Sequence, residues 1–104
     1  MSAINISTNN FQKEVMNSDK TVLLDFWAPC RMVVPIIEEI AEERSDIKVG
    51  KINVDEQPEL AGKFGIMTIP TLVVMKNGEI VKQASGARSK NAIWEMLPTW
   101  GGRK

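Results

Sequence analysis

The sequence predicts a single α/β domain over residues 1–104, in which a mixed β-sheet lies between helices. Segments with the two-residue apolar period of strands alternate with segments of helical period, and no linker or internal repeat divides them. Thr21–Trp27 (TVLLDFW) is almost continuously apolar, which is typical of a central strand covered on both faces. Asn77 and Gly78 separate two apolar runs, which indicates a hairpin.

The first half of the chain predicts two strands and two helices. Residues 3–7 alternate like a short edge strand, and two asparagines after them can cap a helix over residues 11–17. After the central strand, residues 32–44 carry isoleucines at helical spacing and glutamates on the other face. This pattern predicts a second helix, which Pro35 should kink.

The second half predicts a strand over residues 47–54, a helix over 58–64, a hairpin of strands over 72–75 and 79–84, and a helix over 89–97. The resulting order of elements is βαβαβαββα. Right-handed helical crossovers make the first strands parallel, and the hairpin adds an antiparallel pair. The prediction is therefore a mixed central sheet flanked by helices.

Charge and composition argue against several kinds of function. Thirteen basic and thirteen acidic residues give a net charge of zero, so no basic excess indicates binding to nucleic acid or to a membrane. One cysteine and no histidine leave no internal disulfide and predict no metal site and no cofactor. Without an apolar run of membrane-spanning length or a signal peptide, the expected compartment is the cytoplasm.

Four segments resemble the thioredoxin family, and together they run nearly end to end. They are VLLDFWA (residues 22–28), CRMVVPIIEEIA (30–41), KINVDEQPELAGKFGI (51–66) and IPTLVVMKNGEIV (69–81). The resemblance implies the thioredoxin fold and the family's activity, a protein-disulfide oxidoreductase that transfers electrons to protein disulfides. It also implies a thioredoxin reductase and disulfide-containing proteins as partners.

One part of the family pattern is missing. In the family, the strand ending in Asp-Phe-Trp-Ala is followed by one variable residue and then by Trp-Cys-Gly-Pro-Cys. Here residues 27–30 read Trp-Ala-Pro-Cys, which is four residues shorter, and Pro29 can be either the variable residue or the proline between the cysteines. The residues after Cys30 match those that follow the family's second, resolving cysteine. The resemblance therefore implies that the attacking cysteine is absent.

The chemistry of disulfide reduction needs two thiols. An exposed thiolate of low pKa attacks the substrate, and a second thiol resolves the mixed disulfide. With Cys30 alone, the chain is predicted to be redox-inactive. Two alternatives stay open. In the first, Cys30 acts as a reactive monothiol, whose thiolate the nearby helix N-terminus would stabilise. In the second, the chain is a non-catalytic module that binds peptides.

Asp25 and Lys51 are the other catalytic candidates. Asp25 interrupts an apolar strand, so its carboxylate is either buried or at the wetter end of the strand. The resemblance implies burial, as in the aspartate that manages the proton of the resolving cysteine, with Lys51 on the neighbouring strand as its counter-charge. Without a thiol cycle, such an acid would be a vestige that costs stability.

The candidates for substrate contact are Trp27, Met67, Ile69, Pro70, Gly86 and Ala87. Pro70, within Thr-Ile-Pro-Thr, resembles the family's cis-proline loop, whose backbone pairs with an extended substrate. Gly86 and the residue after it resemble a second substrate-facing loop, although a glycine after a strand also suits an ordinary turn. The apolar candidates can form a peptide-binding patch or belong to the core, and Met67 is expected to be the most exposed of them.

The shortened connection is itself a structural prediction. Four residues span about 6 Å as helix or about 13 Å when extended, which is more than small adjustments absorb. Either the first helical turn at Cys30 unwinds, or strand and helix separate and residues 1 to about 28 complete the fold of a second chain. The second outcome predicts a homodimer formed by domain swapping.

Overall fold

A computed structural model of the chain describes residues 3–28, 36–86 and 88–98. The strands are β1 (Ile4–Asn5), β2 (Thr21–Trp27), β3 (Ile47–Asn53), β4 (Thr71–Lys76) and β5 (Glu79–Ser85), and the α-helices are α1 (Ile36–Glu43), α2 (Pro58–Lys63) and α3 (Lys90–Met96). A π-helical segment, Gln12–Met16, lies between β1 and β2. Among the described helices, none is long and apolar enough to cross a membrane.

The strands form one five-stranded sheet in the order β1-β3-β2-β4-β5. Strand β3 runs parallel to both β1 and β2, whereas β4 is antiparallel to β2 and to β5. The predicted mixed sheet between helices is therefore confirmed. Strand β2 occupies the centre, and its first four residues are buried, as the apolar run in the sequence requires.

Two apolar layers cover the sheet, one on each face. On one face the side chains of β2 and β4 pack with the π-helical segment and α2, around Phe26 and Leu60. On the other face they pack with α1 and α3, around Leu23, Ile40 and Ile93. Alternation along β2 places Asp25 on this second face, because it lies two residues after Leu23.

Several predicted boundaries differ from the observed ones. Strand β1 has two residues rather than five, although the Ile6 N–H still donates to the Lys51 carbonyl at 2.8 Å. The helix predicted over residues 11–17 is π-helical, because the Asn17 N–H bonds to the Gln12 carbonyl five residues earlier. The predicted helical residues 32–35, and the kink at Pro35, lie outside the described residues.

A buried arginine ties the end of α1 to two other elements. Arg44 is only 1% exposed, and its Nε and Nη2 donate to the two Asp46 carboxylate oxygens, both at 2.8 Å. The same Nη2 donates to the Pro98 carbonyl at 2.8 Å, and the guanidinium lies 4.9 Å from the centre of the Trp94 ring. This arginine therefore links α1 to the start of β3 and to the chain after α3.

Candidate functional site

Three chain segments meet at the edge of the sheet where β2 ends. Strand β2 ends at Trp27, Pro70 immediately precedes β4, and Gly86 immediately follows β5. Because β4 is antiparallel to both neighbours, these three positions lie at the same edge. The Gly86 N–H donates to the Pro70 carbonyl at 2.7 Å, and its φ of +90° is backbone that favours glycine.

The loop before β4 carries the predicted substrate-contact residues Met67, Ile69 and Pro70. The Ile69–Pro70 peptide bond is cis. Met67 is 95% exposed, whereas Ile69 and Pro70 are half-buried. The loop therefore carries one exposed thioether, Met67, and two half-buried apolar residues. Trp27, at the end of β2, is half-buried as well.

Asp25 is half-buried in the central strand, between apolar neighbours. Its register partner on β4 is Leu72, and its register partner on β3 is Lys51. Burial raises the pKa of the Asp25 carboxyl from 3.8 to about 6, and the positive charge of Lys51 opposes that rise. Of the sequence-predicted catalytic residues, Asp25 and Lys51 are thus brought together.

The Lys51 ammonium has two further partners. It forms an ion pair with Glu38 of α1, with Nζ 3.7 Å from Oε2, and it lies 5.1 Å from the centre of the Trp27 ring. The sequence predicts Lys51 as the counter-charge of Asp25 alone. In the structure its charge is divided, because the ion pair is with Glu38 and the interaction with Asp25 acts at longer range.

Two predicted site residues, Cys30 and Ala87, lie outside the described residues. Within the three described ranges, no group of three or more cysteine, aspartate or glutamate side chains could hold a metal ion. The site described above therefore consists of a carboxylate of raised pKa, an ammonium, an indole and a proline loop. Among these described groups, the Asp25 carboxyl is the one whose raised pKa lets it hold a proton near neutral pH.

Comparison with known proteins identifies the architecture. A family model described as thioredoxin matches residues 2–99. The chain belongs to the thioredoxin family. It is 46% identical over 100 residues to the thioredoxin of Rickettsia bellii, covering 91% of this chain and 95% of that protein. It is 47% identical over 102 residues to the thioredoxin of Porphyra purpurea, covering 93% and 95% of the two chains.

A third thioredoxin-family relative, from Chlorobaculum thiosulfatiphilum, is 47% identical over 89 residues, with 81% of this chain and 82% of that thioredoxin covered.

Sequence reasoning misses one residue of this thioredoxin-fold site, Glu38. In the sequence it is one of several glutamates on the polar face of a predicted helix. The available signal is its position in the first turn of α1, the helix that follows β2 along the chain. Such a position brings a carboxylate within reach of a lysine on the neighbouring strand, but only the relative placement of helix and sheet selects which glutamate it is.

Replacing the half-buried acid, Asp25→Asn, is expected to stabilise the protein at neutral pH. The folded pKa of about 6 lies above the ordinary 3.8, so the folded state holds its proton while the unfolded state loses it. Stability therefore falls as pH rises from about 4 to about 6, and the full cost, about 2 to 3 kcal/mol, persists above that range. The asparagine variant lacks this cost.

Urea denaturation of the two chains between pH 4 and 8 measures this effect. The difference in unfolding free energy between them should grow from pH 4 to pH 6 and then level off. Asp19→Asn, which removes one exposed carboxylate elsewhere on the protein, is the matched control. Parallel profiles for the parent and Asp25→Asn chains would show that Asp25 has an ordinary pKa.

Proposed function

We propose that this thioredoxin-family chain does not carry out the family's dithiol reduction of protein disulfides. The observation that carries the proposal is the single cysteine among the 104 residues. A lone thiol can form a mixed disulfide with a substrate but cannot resolve it, so the reaction stops after one step. Cys30 is the residue we assign to the resolving position, by its match to the family pattern.

The shortened connection supports the same proposal. Residues 27–30 read Trp-Ala-Pro-Cys, four residues shorter than the family pattern, and the gap can be placed with Pro29 either as the variable residue or as the proline between the cysteines. In this proposal Asp25 and Lys51 are remnants of the proton-transfer apparatus. The raised pKa of Asp25 persists because it comes from burial, which does not depend on a thiol.

Insulin reduction driven by a thioredoxin reductase, with no free thiol present to resolve a mixed disulfide, tests the loss of activity. The chain is expected to show no turnover above that of a Cys30→Ser variant, since neither has a thiol pair. Thioredoxin reductase and disulfide-containing proteins, the partners that the family implies, would then be bound without catalytic turnover. Catalytic turnover that disappears in the serine variant would contradict the proposal.

We also propose that the chain forms a homodimer by exchanging residues 1 to about 28. The connection is too short for an unaltered turn, and short hinges favour exchange between chains. The exchanged segment contains β1 and β2, and β2 pairs along its length with β3 and with β4. The exchanged β2 would therefore take the central position, and the exchanged β1 the edge position, in the sheet of the partner chain.

Light scattering after size exclusion is expected to give twice the mass of one chain at micromolar concentration. A variant with four residues inserted between Pro29 and Cys30 should elute as a monomer, because it restores the length of the connection. A monomer of the unaltered chain after unfolding and refolding at the same concentration would rule out the exchange.

A non-catalytic peptide-binding module is the alternative function, and the exposure of Met67 favours it. Met67 belongs to the same loop as Ile69 and Pro70, so an extended peptide could pack on its exposed thioether while pairing with the loop backbone. Because no thiol is needed, the probe is an insulin B chain with alkylated cysteines, followed by NMR titration.

Met67→Asp is expected to weaken binding of this peptide about tenfold, from the loss of apolar contact. Val81→Asp is the matched control, because Val81 is an exposed apolar residue on β5 at 56% exposure and lies away from the loop. Equal weakening by both variants, or no binding by the parent chain, would contradict a specific peptide site.

A further inference from the structure

The Lys51 ammonium is the common neighbour of two carboxylates and an indole. Glu38 Oε2 is 3.7 Å from Nζ, and the centre of the Trp27 ring is 5.1 Å from it. Asp25 is the register partner of Lys51 on the adjacent strand. Lys51 is largely buried, with 18% of its side chain exposed, so its position is restricted by these neighbours.

We propose that Glu38 is a positioning residue, which anchors the Lys51 ammonium beside Trp27 and divides that positive charge between its own carboxylate and the carboxylate of Asp25. The carboxylate on which Lys51 acts, Asp25, has no thiol pair to serve in the proposed function. This division of charge does not depend on the redox state or reactivity of Cys30.

Glu38 is itself held in place from a second side. Its Oε1 accepts a hydrogen bond from the Ala3 N–H at 3.1 Å, while its Oε2 faces Lys51. The carboxylate therefore bridges the residue before β1 and the lysine of β3. A side chain fixed at both oxygens has less freedom to follow the lysine toward Asp25, so the lysine is retained near α1.

The other charges on the same face have different partners. Glu39 and Glu43 of α1 both bind Lys90 of α3, at 3.2 and 2.7 Å. The other α1 and α3 carboxylates, Glu42 and Glu95, are exposed. On β4 the residue opposite Asp25 is the apolar Leu72. Among the described residues, Lys51 is the charge that acts on the Asp25 carboxyl, and Glu38 is its ion-pair partner.

Removing the Glu38 charge should change the titration of Asp25 in a defined direction. In a Glu38→Gln variant the lysine loses its ion pair and can approach Asp25, which favours the ionised carboxylate. The loss of a nearby negative charge acts in the same direction. The midpoint of the Asp25 titration should therefore fall, by about half a pH unit or more, given the size of single-charge effects at such distances.

The experiment is a carbon-13 NMR titration of the Asp25 carboxyl carbon in the parent chain and in four variants. Glu38→Gln should lower the midpoint, and Lys51→Met should raise it. Glu38→Gln should also be tested in the Lys51→Met background. There it should shift the Asp25 midpoint by less than half as much as it does in the parent chain, because most of its effect passes through the lysine. Glu39→Gln is the matched control, since Glu39 is one residue away and binds Lys90.

Three outcomes would overturn the inference. These are an unchanged or raised midpoint in Glu38→Gln, an equal shift in Glu39→Gln, and an undiminished shift in the Lys51→Met background. None of these measurements involves the thiol. Unexpected insulin reduction would contradict the proposed function and leave the titration intact, and a failed titration would leave the proposed loss of activity standing.

Discussion

A variant with Trp-Cys-Gly-Pro inserted between Pro29 and Cys30 is expected to reduce insulin at least about 100-fold faster than the unaltered chain. The insertion supplies an attacking thiol and restores the length of the connection between β2 and α1. The rest of the fold is already in place, because the sheet edge with Pro70 and Gly86 and the half-buried Asp25 do not depend on the inserted residues.

Replacing Ala28 or Pro29 by cysteine should not restore activity. Ala28 is buried, with 6% of its surface exposed, so a thiol at that position could not reach a protein disulfide. A cysteine at position 29 would be adjacent to Cys30, without the two intervening residues of the family motif. Neither substitution lengthens the connection, and a displacement of reacting groups by about 1 Å can already cost 100-fold in rate.

A second insertion, Trp-Ser-Gly-Pro at the same place, separates the two effects of the missing residues. It should restore the monomeric state without restoring insulin reduction, because it supplies the turn but no second thiol. Rescue by a single cysteine would mean that the geometry of the site survives in the shortened chain. A folded, monomeric Trp-Cys-Gly-Pro variant that fails to reduce insulin would mean that the remaining scaffold is not competent.

Arg44→Met is expected to lower the free energy of unfolding by about 3 kcal/mol, the lower end of the range for breaking a buried ion pair. The change removes two hydrogen bonds to Asp46 and one to the Pro98 carbonyl. It also leaves the Asp46 carboxylate without its main partner, although that side chain is 27% exposed and can be partly hydrated. Methionine keeps much of the apolar volume of the arginine side chain, so the measured loss of stability comes chiefly from the hydrogen bonds and the ion pair.

Urea denaturation at one fixed protein concentration measures this change, since concentration affects the stability of any dimer. Lys90→Met is the control, because Lys90 also binds two carboxylates but at the protein surface. It should cost less than about 1 kcal/mol. Equal losses in the two variants would show that the burial of Arg44 contributes nothing to its effect.

The architecture is predictable because each buried element has a distinct apolar pattern. The run TVLLDFW predicts the central strand with its observed limits, and the Asn-Gly pair predicts the hairpin, since Asn77 and Gly78 both adopt positive φ. The π-helical form of Gln12–Met16 is not predictable, because α- and π-helical turns differ by one residue in hydrogen bonding and share the same apolar spacing.

The site is predictable only where a role follows from the residue itself or from the family pattern. The apolar neighbours of Asp25 along its strand are enough to indicate an unusual carboxylate. The ion pair of Glu38 and the burial of Arg44 do not follow from the sequence, because charged residues on a helix normally face solvent. Which charged residue of α1, or of the chain just after it, finds a partner on the sheet depends on how α1 lies against the sheet.

The central place of β2 in the sheet has a kinetic consequence. Strands β3 and β4 are not neighbours, and each pairs with β2. Withdrawing β2 would therefore divide the sheet into two separate parts and expose both apolar layers together. Interchange between single and exchanged chains would require near-complete unfolding, so its rate would be close to the global unfolding rate. The species formed when the chain first folds would then persist, and the protein concentration during refolding, rather than during storage, would decide which one is isolated.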